Sequence, residues 1–411
     1  MPLTPKEAKR LHVLTLLDAG KITTQQAAEA LGVSRRQLFR LRAKLQAAGP
    51  AGLTHGNRGR ATRHALPAAL RTQIVALGRG KYAGLNDVHL SEKLTEGEGL
   101  DVSRATVQRV LRAAGLGSPR RRRPPRHRRR RPRRPQAGLL VLFDASPFAW
   151  FGPDEPPCDL LGAIDDATSS VLGGCFRAAE DAAGYLGLLR DLGRTVGLPA
   201  AAYTDRHGIF VRNDAHWTLA EELAGAQEPT QVGRAFRALG IEPIVAKTPE
   251  AKGRIERLWG TLQDRLVAEL RLAGIRTPAA GDAFLRDTFL PAFNARFAVP
   301  PALAASGYRP VPRGLDLDRV CAFQYARTVA ADNTITIDGL VLQVQPGPRG
   351  RSYAKAPAEV VQCLDGSWRV YVHDKLVVTT PAPPNPGQLR ARRRSRPKAG
   401  TKGGVTFSQS S

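Results

Sequence analysis

Three carboxylates stand out by where they fall in the chain. Residues 139–143 form a continuous apolar run ending at Asp144, the pattern of a buried strand that presents a carboxylate at its end. Residues 201–204 make a short strand delivering Asp205, and Glu256 lies on the helix after the next strand. With the strands side by side, the two aspartates emerge together at one sheet edge and the helix brings Glu256 opposite. Three hard oxygen donors suit Mg2+ or Mn2+, with water and phosphate completing the shell. Two such ions about 4 Å apart clamp a phosphodiester: one lowers the pKa of an attacking water or 3′-hydroxyl, the other stabilises the leaving oxygen. No general base is then required, which agrees with the lack of a nucleophile motif.

The helix that positions Glu256 has Ile255, Leu258, Trp259, Leu262, Leu266 and Leu270 at the spacing of one buried face. Glu256 sits one position off that face, and Lys252 and Gln263 share its side. Lys252, Arg254 and Arg257 flank it. Taken alone, the pattern fits a solvated charged face as well as a ligand facing an anion or a metal; Asp144 and Asp205 decide for the ligand. Rival groups have plainer readings. Asp165 and Asp166 fall in a hairpin turn, where Asp serves local hydrogen bonds. Glu250 precedes the helix and points away. His207 is a candidate phosphate contact or a turn cap, and Ser146 lacks a nucleophile elbow.

The rest of the chain says what such a centre would act on. A chain of 411 residues implies two to four domains, and 42% apolar residues suffice for ordinary cores. The formal net charge is +26 and the pI near 10.9, a surplus that draws a protein to polyanions, above all nucleic acid. Membrane as the competing partner is disfavoured, since there is no run of about 18 apolar residues and no signal-peptide apolar core at the N-terminus. Cys158, Cys175, Cys321 and Cys363 are scattered, which fits free thiols in a reducing cytoplasm rather than disulfides or zinc.

Residues 1–60 read as a helix-turn-helix domain. A first helix ends at Gly20, Thr23 or Thr24 caps a second, Gly32-Val33 turns, and Ser34 caps a third from Arg35 to about Ala47. Ser34, Arg35, Arg36, Gln37 and Arg40 open that helix, its start meeting base edges and its basic side chains meeting phosphates. Residues 65–117 repeat the plan more weakly, with Asn86 and Ser103 as caps and Arg104 and Thr106 as candidate DNA contacts. Two units in tandem suggest a long bipartite DNA site. Residues 118–137 hold eleven arginines among prolines, an extended disordered linker that adds salt-dependent affinity for DNA. Residues 138–305 alternate strands and helices, an α/β plan with a mixed sheet. Short strands with Asp-Gly turns at Asp338-Gly339 and Asp365-Gly366 suggest a small β-barrel over 315–381, and 382–411 read as a disordered basic tail.

Taken together, the chain resembles the DDE transposases of bacterial insertion sequences, which have a retroviral-integrase-type catalytic core. The resemblance rests on the tandem helix-turn-helix units and on three stretches: Ala163-Ile164-Asp165-Asp166-Ala167-Thr168, Tyr203-Thr204-Asp205-Arg206-His207-Gly208, and Ala251-Lys252-Gly253-Arg254-Ile255-Glu256-Arg257. Phe293-Asn294 and the downstream β segment extend it over about residues 6–380. It implies an RNase H-like fold, Asp144, Asp205 and Glu256 as catalytic metal ligands for two Mg2+ or Mn2+ ions, binding to terminal inverted repeats, and strand cleavage and transfer. The partners it implies are double-stranded DNA, as transposon ends and target, and further copies of the chain on that DNA, in the bacterial cytoplasm at the nucleoid. Lys252 and Arg254 would hold DNA phosphates near the metals. Two departures are visible: Arg206-His207-Gly208 stands where Asn-Gly more often follows the second aspartate, and Glu256 lies farther from Asp205 than in related integrases. The competing readings are a domesticated transposase acting as a DNA-binding regulator and an RNA-associated basic protein, the latter with no use for carboxylates at strand ends.

Overall fold

The computed structural model describes residues 3–55, 58, 66–117, 132–212, 214–246, 253–337 and 340–380. The linker arginines up to 131, Lys252, Glu250, the Asp338-Gly339 turn and the tail from 381 lie outside the described residues, as does the Arg254 side chain. The chain divides into two compact units, Met1–Val75 and Ala76–Ser411.

The first unit contains α1 (Pro5–Asp18), α2 (Thr24–Leu31) and α3 (Arg35–Ala48). Each starts at a hydroxyl cap: Thr4, Thr23 and Ser34 accept backbone N–H groups of the first turn. Gly32 ends α2 at φ +61°, a left-handed geometry that costs glycine little, so the chain turns within three residues into α3. Leu14, Ala27 and Leu38 are fully buried where the three helices meet.

The second unit begins with helices. α4 (Ala68–Arg79) runs across the unit boundary, followed by α5 (Asp87–Glu98), capped by Asn86, and α6 (Arg104–Ala113), capped by Ser103. A five-stranded sheet follows, with β1 (Val141–Phe148), β2 (Cys158–Asp165), β3 (Val171–Arg177), β4 (Ala201–Thr204) and β5 (Glu242–Val245). Its order is β3-β2-β1-β4-β5: the first three strands are antiparallel, while β4 runs parallel to β1 and β5 to β4.

Strand periodicity sends alternate side chains to two cores. On one face Val141, Phe143, Leu161 and Ala163 pack with α7 (Ala182–Thr195) and α9 (Gln231–Ala238). On the other, Leu140, Leu142, Leu160 and Ile164 pack with Ile255, Trp259, Leu262 and Leu266 of α10 (Gly253–Leu272). A short α8 (Leu219–Ala224) occupies the extra chain between β4 and α9 that lengthens the Asp205-to-Glu256 interval. α11 (Pro278–Phe284) runs on through a π-helical segment at Leu285–Phe289 into α12 (Leu290–Phe297). Asn294 of α12 both accepts from Val171 N and donates to Val171 O, at 2.9 and 2.8 Å, and so binds the edge strand β3.

The outer side of α10 carries α5 through charge. Arg265 donates to both oxygens of Glu92, at 2.6 and 3.1 Å, His89 Nε2 and Lys93 Nζ each meet Glu269 at 2.7 Å, and Asn86 donates to Asp264. The helical segment before the linker is therefore docked on the α/β layer, an arrangement that periodicity alone does not contain.

The C-terminal strands differ from the expected barrel. After α13 (Leu317–Val320), β6 (Phe323–Thr328), β9 (Pro357–Gln362), β10 (Trp368–Val372) and β11 (Lys375–Thr380) form an open sheet in the order β11-β10-β9-β6. β7 (Thr334–Ile337) and β8 (Leu340–Gln343) make a separate hairpin. Closure would need the hairpin to pair with the free edges β11 and β6, since β9 is already paired on both sides, and among the described residues no such ladder is formed. Among the described residues no helix is long and apolar enough to cross a membrane.

Candidate active site

Asp144 and Asp205 are brought together by the parallel pairing of β1 with β4. The register joins Val141 to Ala202 and Leu142 to Tyr203, so the two strands part just before Asp144 and Asp205. Asp205 directly follows β4, as expected. Asp144 does not end its strand: β1 continues to Phe148, paired with β2 alone. The carboxylate thus sits where β1 loses its second neighbour, at the point of the sheet where connections leave in opposite directions, a usual place for ligands in open α/β sheets.

Alternation along β1 turns Asp144 to the α10 side, like Leu142. There the Trp259 indole N–H donates to Asp144 Oδ2 at 2.9 Å. One turn further, Gln263 Nε2 donates to the buried Ser146 Oγ at 3.1 Å, and Ser146 O accepts from Trp150 Nε1 at 2.9 Å. Ser146 is held by structure on both atoms. Four residues along a helix advance about 6 Å and two along a strand about 6.6 Å, so these two bonds lock α10 in step with β1. Glu256 stands exposed in the first turn of α10, one turn before Trp259.

Asp205 Oδ1 accepts the His207 N–H at 2.8 Å, and His207 Nδ1 accepts from Ile209 N at 3.4 Å. His207 therefore shapes the turn, and its exposed ring keeps Nε2 as the donor. A fourth carboxylate, not singled out by sequence, joins them. Glu180, between β3 and α7, accepts the Tyr185 hydroxyl at 2.6 Å. Burial first, and then the charges of Asp205 and Asp144, push Glu180 above the ordinary carboxylate range, against the pull of Tyr185 and His207. The donors are all hard oxygens, which fits a divalent cation. Yet among the described residues no three His, Cys, Asp or Glu side chains are gathered closely enough to hold one ion. The two aspartates share a place, and Glu256 is on the adjoining helix without converging on them.

Asp165 and Asp166 have structural work. Both are buried; Asp165 accepts from Gly138 N at 2.7 Å, Thr168 N at 2.9 Å and Tyr308 Oη at 3.0 Å, and Asp166 from Arg134 N at 2.8 Å.

Residues 4–54 match the Homeodomain-like domain family. A curated relative from Sinorhizobium fredii named "Putative transposase y4bF" is 34% identical over 372 residues, covering 89% of this chain and 80% of the relative. The transposase for insertion sequence IS1202 of Streptococcus pneumoniae is 30% identical over 413 residues, covering 91% and 86%. The chain belongs to the insertion-sequence transposases. Among solved structures, a simian T-cell lymphotropic virus intasome complex covers 75% of this chain and 99% of its own at 13% identity, with a TM-score of only 0.30.

In this transposase the DNA-binding surface expected of α3 is laid out by its caps. Ser34 accepts from Gln37 N at 3.3 Å; Arg35, Arg36 and Arg40 are exposed, and Arg40 reaches Gln37 at 3.4 Å. Arg42, by contrast, pairs with Asp18 at 2.5 Å and braces the fold. Phe39 is 49% exposed beside these arginines, an apolar side chain that polarity-based reading passes over. On α6, Arg104 is exposed, while Thr106 is half-buried with its hydroxyl 3.1 Å from Ser103 Oγ.

Proposed function

We propose that this transposase binds the terminal inverted repeats of its element and carries out metal-dependent strand cleavage followed by strand transfer. The observation that carries the reading is the pair Asp144 and Asp205 at the parting of two adjacent parallel strands, with the Glu256 helix hydrogen-bonded to the first of them. The sheet order β3-β2-β1-β4-β5, with its one antiparallel flank, supports an RNase H-like core.

Asp144, Asp205 and Glu256 would hold two Mg2+ or Mn2+ ions, which when bound supply the activation of a water or 3′-hydroxyl and the neutralisation of the leaving oxygen. The chain's own residues do the rest. The His207 N–H fixes one oxygen of Asp205, Trp259 fixes one of Asp144, and the His207 ring faces out as a candidate phosphate donor. Lys252 and Arg254 are assigned to the DNA strand. Ser34, Arg35, Arg36, Gln37 and Arg40, with Arg104 and Thr106, are assigned to the element end, and phosphate contacts make that binding strongly salt-dependent. Pairing two ends requires at least two copies of the chain, acting at the nucleoid.

The test is Asp144→Asn on an element-end duplex. Mg2+-dependent cleavage is expected to vanish while end binding persists. A mutant that cuts like the wild type overturns the carboxylate assignment. End binding without cleavage in the wild type itself points instead to a DNA-binding regulator.

A further inference from the structure

We propose that Trp259 is a positioning residue for the catalytic centre: its indole N–H sets the Asp144 carboxylate and ties the Glu256 helix to it. The inference rests on the metal-ligand reading of Asp144 and deepens it. Spacing alone assigns Trp259 to the apolar face of α10, and it is buried there, with 6% exposure. A core tryptophan needs a partner for its N–H. This one finds it in a carboxylate 115 residues earlier in the chain, at 2.9 Å.

The sheet is built to admit the ring. Gly162 is the register partner of Asp144 on β2, and a Cβ there would stand 2.7 Å from the Trp259 Cη2 atom. The indole therefore lies in a gap that only glycine leaves, directly beside the aspartate. The second bond, from Gln263 to Ser146, repeats the attachment one helical turn on and prevents α10 from sliding along β1. A carboxylate has about four lone-pair sites, so an indole N–H on one of its oxygens is compatible with metal coordination. Such bonds orient a ligand oxygen, and their removal typically costs 10–100-fold in metal affinity. Because Glu256 lies one turn before Trp259, the same bond fixes where the third carboxylate starts from.

The test compares Trp259→Phe, and replacement of Trp259 by benzothienylalanine, with the wild-type chain. The benzothienyl group keeps the shape of the ring and replaces N–H by sulfur, so folding and donor loss are separated. Mn2+ affinity is measured by electron paramagnetic resonance, and the indole N–H resonances are followed during Mg2+ titration, with Trp259→Phe identifying the Trp259 signal among the four tryptophans. The expected result is a roughly 10–100-fold weaker Mn2+ affinity in both variants, and a wild-type Trp259 N–H signal that moves with Mg2+ and is shifted in Asp144→Asn. Mn2+ affinity lost in Asp144→Asn but within twofold of wild type in the benzothienyl variant overturns the role of Trp259 alone. Mn2+ affinity unchanged by Asp144→Asn overturns the metal-ligand reading and this inference with it.

Discussion

Gly162→Ala is the most discriminating change that leaves every polar group of the site in place. The added Cβ would stand 2.7 Å from Trp259 Cη2 and 3.4 Å from Cζ2. Carbon contacts are comfortable at about 3.5 Å or more, so the ring has to retreat by roughly 0.8 Å. It has little room: Trp259 is buried, its N–H is fixed to Asp144, and its helix is held again at Ser146. Overpacking of this kind costs about 1–3 kcal/mol. A retreat of that size also stretches the bond to Asp144, worth about 1.5 kcal/mol or more for a charged acceptor. Against this, losing a glycine from the unfolded chain contributes about 0.4–1 kcal/mol in favour of the fold. The net expectation is a loss of about 2–3 kcal/mol, read as a lower urea midpoint in unfolding followed by circular dichroism. In a Trp259→Ala background the same change is expected to cost nothing. Gly260→Ala, on the neighbouring helix position where a Cβ meets nothing within 4 Å, is expected to be neutral or stabilising. Stability within about 0.5 kcal/mol of wild type for Gly162→Ala refutes the packing argument, since exposed neutral sites fall in that range.

Two further outcomes follow from charge. Burial alone would raise Glu269, but hydrogen bonds from His89 and Lys93 hold it below its ordinary value of 4.5, so its contribution is complete above pH 4.5 and is lost as pH falls through the lowered value. Glu269→Gln is therefore expected to cost about 1–2 kcal/mol at pH 7, with the difference from wild type shrinking below pH 4.5; a pH-independent difference in thermal unfolding contradicts the pairing. Arg36→Ala on α3 should weaken binding to specific and unrelated duplexes alike and reduce the salt slope of log K by about 0.9, as for one lost phosphate contact. An unchanged slope in fluorescence anisotropy removes Arg36 from the phosphate contacts.

The helix caps were legible because their chemistry is local. Thr23, Ser34, Asn86 and Ser103 each bond a backbone N–H two or three residues on, and sequence reads that distance well. β4 was legible to the residue, since its apolar run is closed by Asp205. What escaped depends on distant partners. β1 runs past Asp144 because β2 supplies partners as far as Cys158, whereas the apolar run in the sequence stops at Phe143. The Trp259 N–H, the docking of Glu92 on Arg265 and the burial of Asp165 under Tyr308 join residues over a hundred positions apart. Glu180 gave no signal because it lies outside any periodic element and matters only through the charges around it. The C-terminal strands were visible as strands, but closure is a matter of pairing between strand edges, which the Asp-Gly turns do not encode.

The central claim is that Asp144, Asp205 and Glu256 together hold the ions that cut DNA. It is tested most directly by anomalous diffraction from crystals of the full chain bound to an element-end duplex and Mn2+. Anomalous peaks are expected within about 2.1 Å of carboxylate oxygens of Asp144 and Asp205, with Glu256 turned in to complete the set. Mn2+ at a concentration that supports cleavage, bound elsewhere and touching neither aspartate, would contradict the claim.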